Sequence, residues 1–127
     1  MGSKEWLEYK IQVRNRLRTF ALNILKLSEM FPNSQLGRIV KNQLTRSGTS
    51  VYANYRAALR GRSKKEFFSK LSIVVEEADE TEMWLDLIIE SKMLISDFTI
   101  ELYNESLEMI KILASMRKRL GGNEEKD

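Results

Sequence analysis

The chain contains no cysteine, no histidine and one proline in 127 residues. Without cysteine there can be no disulfide and no thiolate metal site, and a reducing cytoplasm is the expected compartment. Without histidine the usual general base and the commonest metal ligand are both missing. No apolar run exceeds a few residues, far short of the ~20 that span a bilayer. The opening turn, Lys4-Glu5-Trp6-Leu7-Glu8, is not the apolar stretch of a signal peptide. These absences predict a protein that is not an enzyme, needs no cofactor or metal and does not enter a membrane.

What is present suits one ordinary domain. The length fits a single core, and a hydrophobic share of 43% argues against general disorder. The net charge of +3 conceals a polarity. Residues 1–70 carry fifteen Lys/Arg against four Asp/Glu, and residues 71–127 carry six against fourteen. Residues 30–65 hold eight basic side chains and no acidic one. Such a distribution points to an anionic partner, or to attraction between opposite ends of two subunits.

Four segments show helical periodicity. In residues 4–30 the stripe is Val13, Leu17, Phe20, Ile24, Leu27 and Phe31, closed by Pro32. In residues 34–60 it is Leu36, Val40, Leu44, Val51, Tyr55 and Leu59. Ser47-Gly48-Thr49-Ser50 resembles a loop by composition, but the apolar phase runs through it, so one continuous helix is expected. Its small side chains would admit a close neighbour. Gly61 is expected to end that helix with a positive φ. Ser63 and Glu66 then form a capping box, and residues 63–92 follow with Phe67, Leu71, Val74, Ala78, Leu85 and Ile88 inward. The last segment, 96–120, has Ser96-Asp97 as cap and Leu102, Met109, Ile110, Leu113, Met116 and Leu120 as stripe, with Gly121-Gly122 as its stop. The expected architecture is all-α, an antiparallel up-down-up-down four-helix bundle over residues 1–122, with a disordered polar tail at 123–127.

The candidate binding residues are basic. Arg56 and Arg60 lie one turn apart, Arg62, Lys64 and Lys65 follow at the turn, and Arg38, Lys41 and Arg46 extend the charge along the second segment. Exposed cations in such a cluster neutralise phosphates with strong salt dependence; the same cations can also form a solvated face that keeps the chain soluble. Tyr52 and Tyr55 interleave with them and could stack on bases, although Tyr55 keeps the phase of the core. The acidic set Glu76, Glu77, Asp79, Glu80, Glu82 and Asp86 reads as an exposed stripe or an ion-pair face, since di-iron bundles need histidines this chain lacks. Arg46, Asn54 and Glu77 or Glu80 are placed to form a buried polar network between the second and third helices.

Three stretches carry a family resemblance: Gln43-Leu44-Thr45-Arg46-Ser47-Gly48-Thr49-Ser50-Val51-Tyr52-Ala53-Asn54-Tyr55-Arg56, then Arg62-Ser63-Lys64-Lys65-Glu66-Phe67-Phe68-Ser69-Lys70-Leu71, then Glu76-Glu77-Ala78-Asp79-Glu80-Thr81-Glu82-Met83-Trp84-Leu85. Together they resemble the bacterial four-helix bundle proteins encoded in intervening sequences of 23S ribosomal RNA genes. The accessory variability proteins of diversity-generating retroelements share that fold. The resemblance implies a ring-shaped homopentamer and, from the retroelement relatives, a basic surface for nucleic acid (RNA or DNA) and for a reverse transcriptase. Two features depart from the pattern. Arg56-Ala57-Ala58 stands where relatives often carry an acid after the Ala-Asn pair, and Trp6-Leu7-Glu8-Tyr9-Lys10 only loosely echoes the family's opening. Two functional classes follow: a non-enzymatic, homo-oligomeric nucleic-acid-binding accessory protein, or a protein-interaction scaffold whose basic face docks an acidic partner.

Overall fold

Each periodic segment folds as one helix: α1 Ser3–Ser28, α2 Gln35–Leu59, α3 Lys64–Glu90 and α4 Asp97–Glu125. The structure, a computed structural model, describes residues 2–125. Three of the four helices, α2, α3 and α4, are preceded by a capping serine. Ser34 Oγ accepts from Gly37 N–H at 3.0 Å, Ser63 Oγ from Glu66 N–H at 3.1 Å and Ser96 Oγ from Thr99 N–H at 3.1 Å. Each bond satisfies a first-turn donor that has no partner within the helix.

The chain runs up, down, up and down. Every helix packs on its neighbours in sequence, and α4 closes the circuit on α1 through the least extensive of the four contacts. The core falls into two apolar clusters along the bundle axis. One centres on Leu17, Val51, Tyr55, Leu71, Val74 and Leu113, near the α2–α3 turn. The other centres on Ile24, Leu27, Leu44, Leu85 and Ile88, near the opposite end. The predicted stripes supply most of both. Phe31, Leu59 and Ile110 are only half-buried, and Leu36 is 60% exposed. Leu36 lies in the first turn of α2, at the edge of the bundle, where no neighbouring helix covers it.

α2 passes unbroken through Ser47–Ser50 because that stretch is a packing surface. A Cβ at Gly48 would sit 3.0 Å from both γ carbons of Ile24, so α1 approaches α2 there more closely than a side chain allows. Ser47 is buried beside it, its hydroxyl donating to Leu44 C=O at 3.3 Å. Thr81 and Ser106 are likewise buried and return their hydroxyls to their own helices.

Two glycine expectations need correction. No glycine among the described residues has a positive φ. Gly61 serves instead as a close-approach site, since a Cβ there would lie 3.1 Å from Ala58 C=O and 3.2 Å from Phe67 N. The left-handed position belongs to Lys92, with φ 60°, directly after the α3 cap Ser91. Nor does Gly121-Gly122 stop α4, which continues to Glu125. A helical glycine costs only about 1 kcal/mol, and the space at Gly121 is taken by the Phe68 ring, 3.1 Å from where a Cβ would be. Of the tail expected to be disordered, residues 126 and 127 lie outside those described.

Candidate nucleic-acid interface

The up-down topology turns the charge polarity of the sequence into a polarity of the bundle. The start of α1, the end of α2, the α2–α3 turn and the end of α4 all meet at one end. That end carries Lys10 and Arg14 from α1, Arg56 and Arg60 from α2, Arg62, Lys64 and Lys65 from the turn and first residues of α3, and Arg117 and Arg119 from α4. Glu5, Glu8 and Glu66 lie among them, and α4 ends in Glu124 and Glu125. Arg56, Arg60, Arg62, Lys64 and Lys65 are all exposed.

Aromatic rings lie beneath several of these cations. Lys10 Nζ is 5.7 Å from the Trp6 ring and 5.4 Å from the Phe67 ring. The guanidinium of Arg119 lies 4.5 Å from Trp6, that of Arg117 5.2 Å from Phe68 and that of Arg56 5.6 Å from Tyr52. Arg117 Nε also donates to Ser72 Oγ at 2.8 Å. Held this way, a long side chain has less entropy to lose when it meets an anion. Tyr55 is different: it is fully buried, its hydroxyl donates to Lys10 C=O at 2.7 Å, and burial pushes its phenol pKa up. It is a core residue that pins α2 to α1, and it presents no ring for stacking.

Two clefts shape this end. One is lined by Arg14, Arg56, Leu59 and Arg60 between α1 and α2. The other, of about 280 Å³, includes Trp6, Lys10, Arg62, Lys64 and Phe67. Both clefts have cations in their walls.

The remaining predicted cations lie elsewhere. Arg38 sits in the first turn of α2 and donates to Asn33 Oδ1 at 3.1 Å. At 1.5 Å per residue it is about 33 Å along the helix from Arg60. Lys41 lines a third cleft, again between α1 and α2, with Phe31, Thr45 and Arg46. Arg46 is committed to α3, where Nη1 meets Glu77 Oε2 at 3.2 Å and Nη2 meets Glu80 Oε2. Trp84 Nε1 donates to the same Glu80 oxygen at 3.1 Å. That bond first, and Arg46 after it, hold the Glu80 carboxyl below the usual glutamate range, while the Glu80 bond raises Arg46. The expected α2–α3 network therefore exists, with two corrections. It is half-exposed, the Arg46 side chain being 47% accessible. Asn54 is not part of it and donates to Ser50 C=O and Ser50 Oγ one turn back.

Lys10, Arg14, Arg117 and Arg119 were missed as partners of the α2–α3 turn because they are 40 or more residues away from it in sequence. The antiparallel order of the helices was the signal that would have found them. Among the described residues, no three acidic side chains are placed to hold a metal, and no helix is long and apolar enough to cross a membrane.

Comparison with known proteins covers nearly the whole bundle. No curated protein matches the chain. A solved structure from Bacteroides thetaiotaomicron VPI-5482, of a protein with unknown function from the S23 ribosomal protein family, is 35% identical with a TM-score of 0.78. The similarity covers 86% of this chain and 97% of that one. The family described as 23S rRNA-intervening sequence protein matches residues 9–115, from the first turns of α1 to the last turns of α4, and the chain belongs to that family.

Proposed function

We propose that the protein is a non-enzymatic, homo-oligomeric accessory protein that binds nucleic acid through the basic end of its bundle. One observation supports this above the others: cations from all four helices and a turn, remote in sequence, converge on one end, where they outnumber the acids. The binding is electrostatic and sequence-tolerant, each neutralised phosphate releasing counterions. The solved relative has unknown function, and its placement in an S23 ribosomal protein family is compatible with an RNA ligand. The retroelement resemblance extends the reading to a pentameric ring and to a reverse transcriptase as partner. A ring would repeat the basic end and multiply weak contacts by avidity. Apolar side chains left exposed on α2 and α3, with Ile39 at 51% and Leu87 at 47%, suit subunit contact.

The test is fluorescence polarisation with a structured RNA and a duplex DNA across a salt series. Binding should weaken steeply with salt, and replacing Arg60, Arg62, Lys64 and Lys65 by Gln should weaken it further and flatten the slope. A flat titration at low salt with both probes would sink the reading. Co-purification of an acidic protein that survives moderate salt, with no nucleic acid, would favour the scaffold. Light scattering on the purified chain reads the oligomer.

A further inference from the structure

Two separate clefts lie between the same two helices. Arg14, Arg56 and Arg60 line one, and Lys41 and Thr45 with Phe31 line the other. The α2 residues facing this groove recur at helical spacing: Lys41, Thr45, Tyr52, Arg56 and Arg60 follow one another by four, seven, four and four residues, a single stripe. The stripe runs from one cleft to the other over about 28 Å at 1.5 Å per residue. Cations therefore stand at both ends of this face; Phe31 lines the Lys41 cleft, and Tyr52, on the stripe between the two clefts, is half-buried against the core. The Thr45 hydroxyl is buried in the Lys41 cleft with no hydrogen-bond partner. Glu29 also lines the Lys41 cleft, as does Arg46, which is paired with Glu77 and Glu80.

We propose that the α1–α2 groove is a track for an unpaired nucleic-acid strand, which enters at Arg56–Arg60 and runs toward Lys41. The inference rests on the nucleic-acid reading above and specifies its ligand. A duplex holds its bases stacked inside and can offer only phosphates, whereas an unpaired strand offers phosphates to Arg14, Arg56, Arg60 and Lys41 and base faces to Tyr52 and Phe31. Cations at both ends with rings between them suit the second ligand. The Arg56 guanidinium already on Tyr52 extends the platform, since its plane also stacks on bases.

The experiment compares a labelled unstructured RNA of roughly 12 nucleotides, within the range of single-strand sites, with the duplex of the same sequence. Phe31→Leu and Tyr52→Leu keep apolar volume and remove the ring, and thermal melting verifies that each variant folds. Each substitution should weaken single-strand binding about five-fold or more; Phe31→Leu, whose ring underlies no cation of the basic end, should leave duplex binding and the salt slope unchanged. Lys41→Gln should flatten the salt slope for the 12-mer by about 0.7 and leave a four-nucleotide probe unaffected. If the strand binds with steep salt dependence but folded ring variants bind as wild type, the track is wrong and the basic end stands. If Phe31→Leu weakens duplex binding as much as single-strand binding, the track is equally wrong. If neither probe binds at low salt, the nucleic-acid reading itself fails.

Discussion

Arg16 grips Glu105 with two parallel hydrogen bonds, Nε to Oε2 and Nη2 to Oε1, both 2.8 Å. The pair joins α1 to α4 across the least extensive of the four helix contacts. The hydrogen bond to Glu105 raises the Arg16 pKa. Both side chains are partly solvated, at 43% and 30%. Its strength should therefore be that of a well-formed surface pair, about 0.5–1 kcal/mol. A double-mutant cycle with Arg16→Ala and Glu105→Ala, read by urea unfolding, should return a coupling of that size that shrinks in high salt. A coupling indistinguishable from zero at low salt would remove the pair from any account of how the bundle closes.

Gly48 should resist the usual gain from replacing a helical glycine. Gly→Ala inside a helix ordinarily adds about 0.5–1 kcal/mol. Here the new methyl meets two γ carbons of Ile24 at 3.0 Å, and Ile24 is fully buried and stiff at χ1. The expected result for Gly48→Ala is a net loss of about 1 kcal/mol in urea unfolding. Ile24→Leu, which has one γ carbon, should recover part of that loss in the double variant. An alanine variant more stable than wild type would show that α1 and α2 can separate there at no cost.

Lys92 and Gly61 should respond in opposite directions. Lys92 holds φ 60°, where a side chain strains the backbone, so Lys92→Gly should be neutral or stabilising by up to about 1 kcal/mol. Gly61 has an ordinary φ, but its missing side chain leaves room for Ala58 C=O and Phe67 N, so Gly61→Ala should destabilise by about 1 kcal/mol or more. Thermal melting of the two variants side by side checks both.

The pair also marks what composition reveals. Periodicity located all four helices and nearly all of the core, because burial of one stripe repeats every three to four residues. Helix starts were legible at Ser34, Ser63 and Ser96, where a local hydroxyl bonds a local N–H. Helix ends were less so. Gly61 and Gly121 look alike in sequence, yet Gly61 is crowded by Ala58 C=O and Phe67 N of its own turn, whereas Gly121 is crowded by the Phe68 ring of another helix. The basic corner was legible at Arg56–Lys65, a local cluster. Arg46 lies in the same basic run but faces the acids of α3, and Lys10 and Arg14 join the corner only through the fold.

Acid should release the α2–α3 ion pairs at Glu80. Its carboxyl is held below the ordinary glutamate value, about 4.3, by Trp84 Nε1 first and by Arg46. A group with a depressed folded pKa contributes stability that is complete above the unfolded value and lost as pH falls through the folded one. The difference in melting temperature between wild type and Glu80→Gln should therefore stay constant above about pH 5.5 and shrink below about pH 4. A difference that grows with acidification would contradict the assignment.

Distance along α2 separates the cations that should matter for phosphate from those that should not. Arg60 faces the basic end, and Arg38, about 33 Å away, bonds Asn33. Arg46 spends its guanidinium on Glu77 and Glu80. In duplex binding, Arg60→Gln should lower the slope of log K against log salt by about 0.9, the share of one phosphate contact. Arg38→Gln and Arg46→Gln should leave that slope within error, although Arg46→Gln will cost some stability through the unpaired carboxylates. Equal effects from all three would mean that the charge acts as a uniform field and not through the convergent end. The contrast between Arg60 and Arg38 is the sharper half of the test, since both are exposed arginines on one helix and differ chiefly in which end of the bundle they occupy.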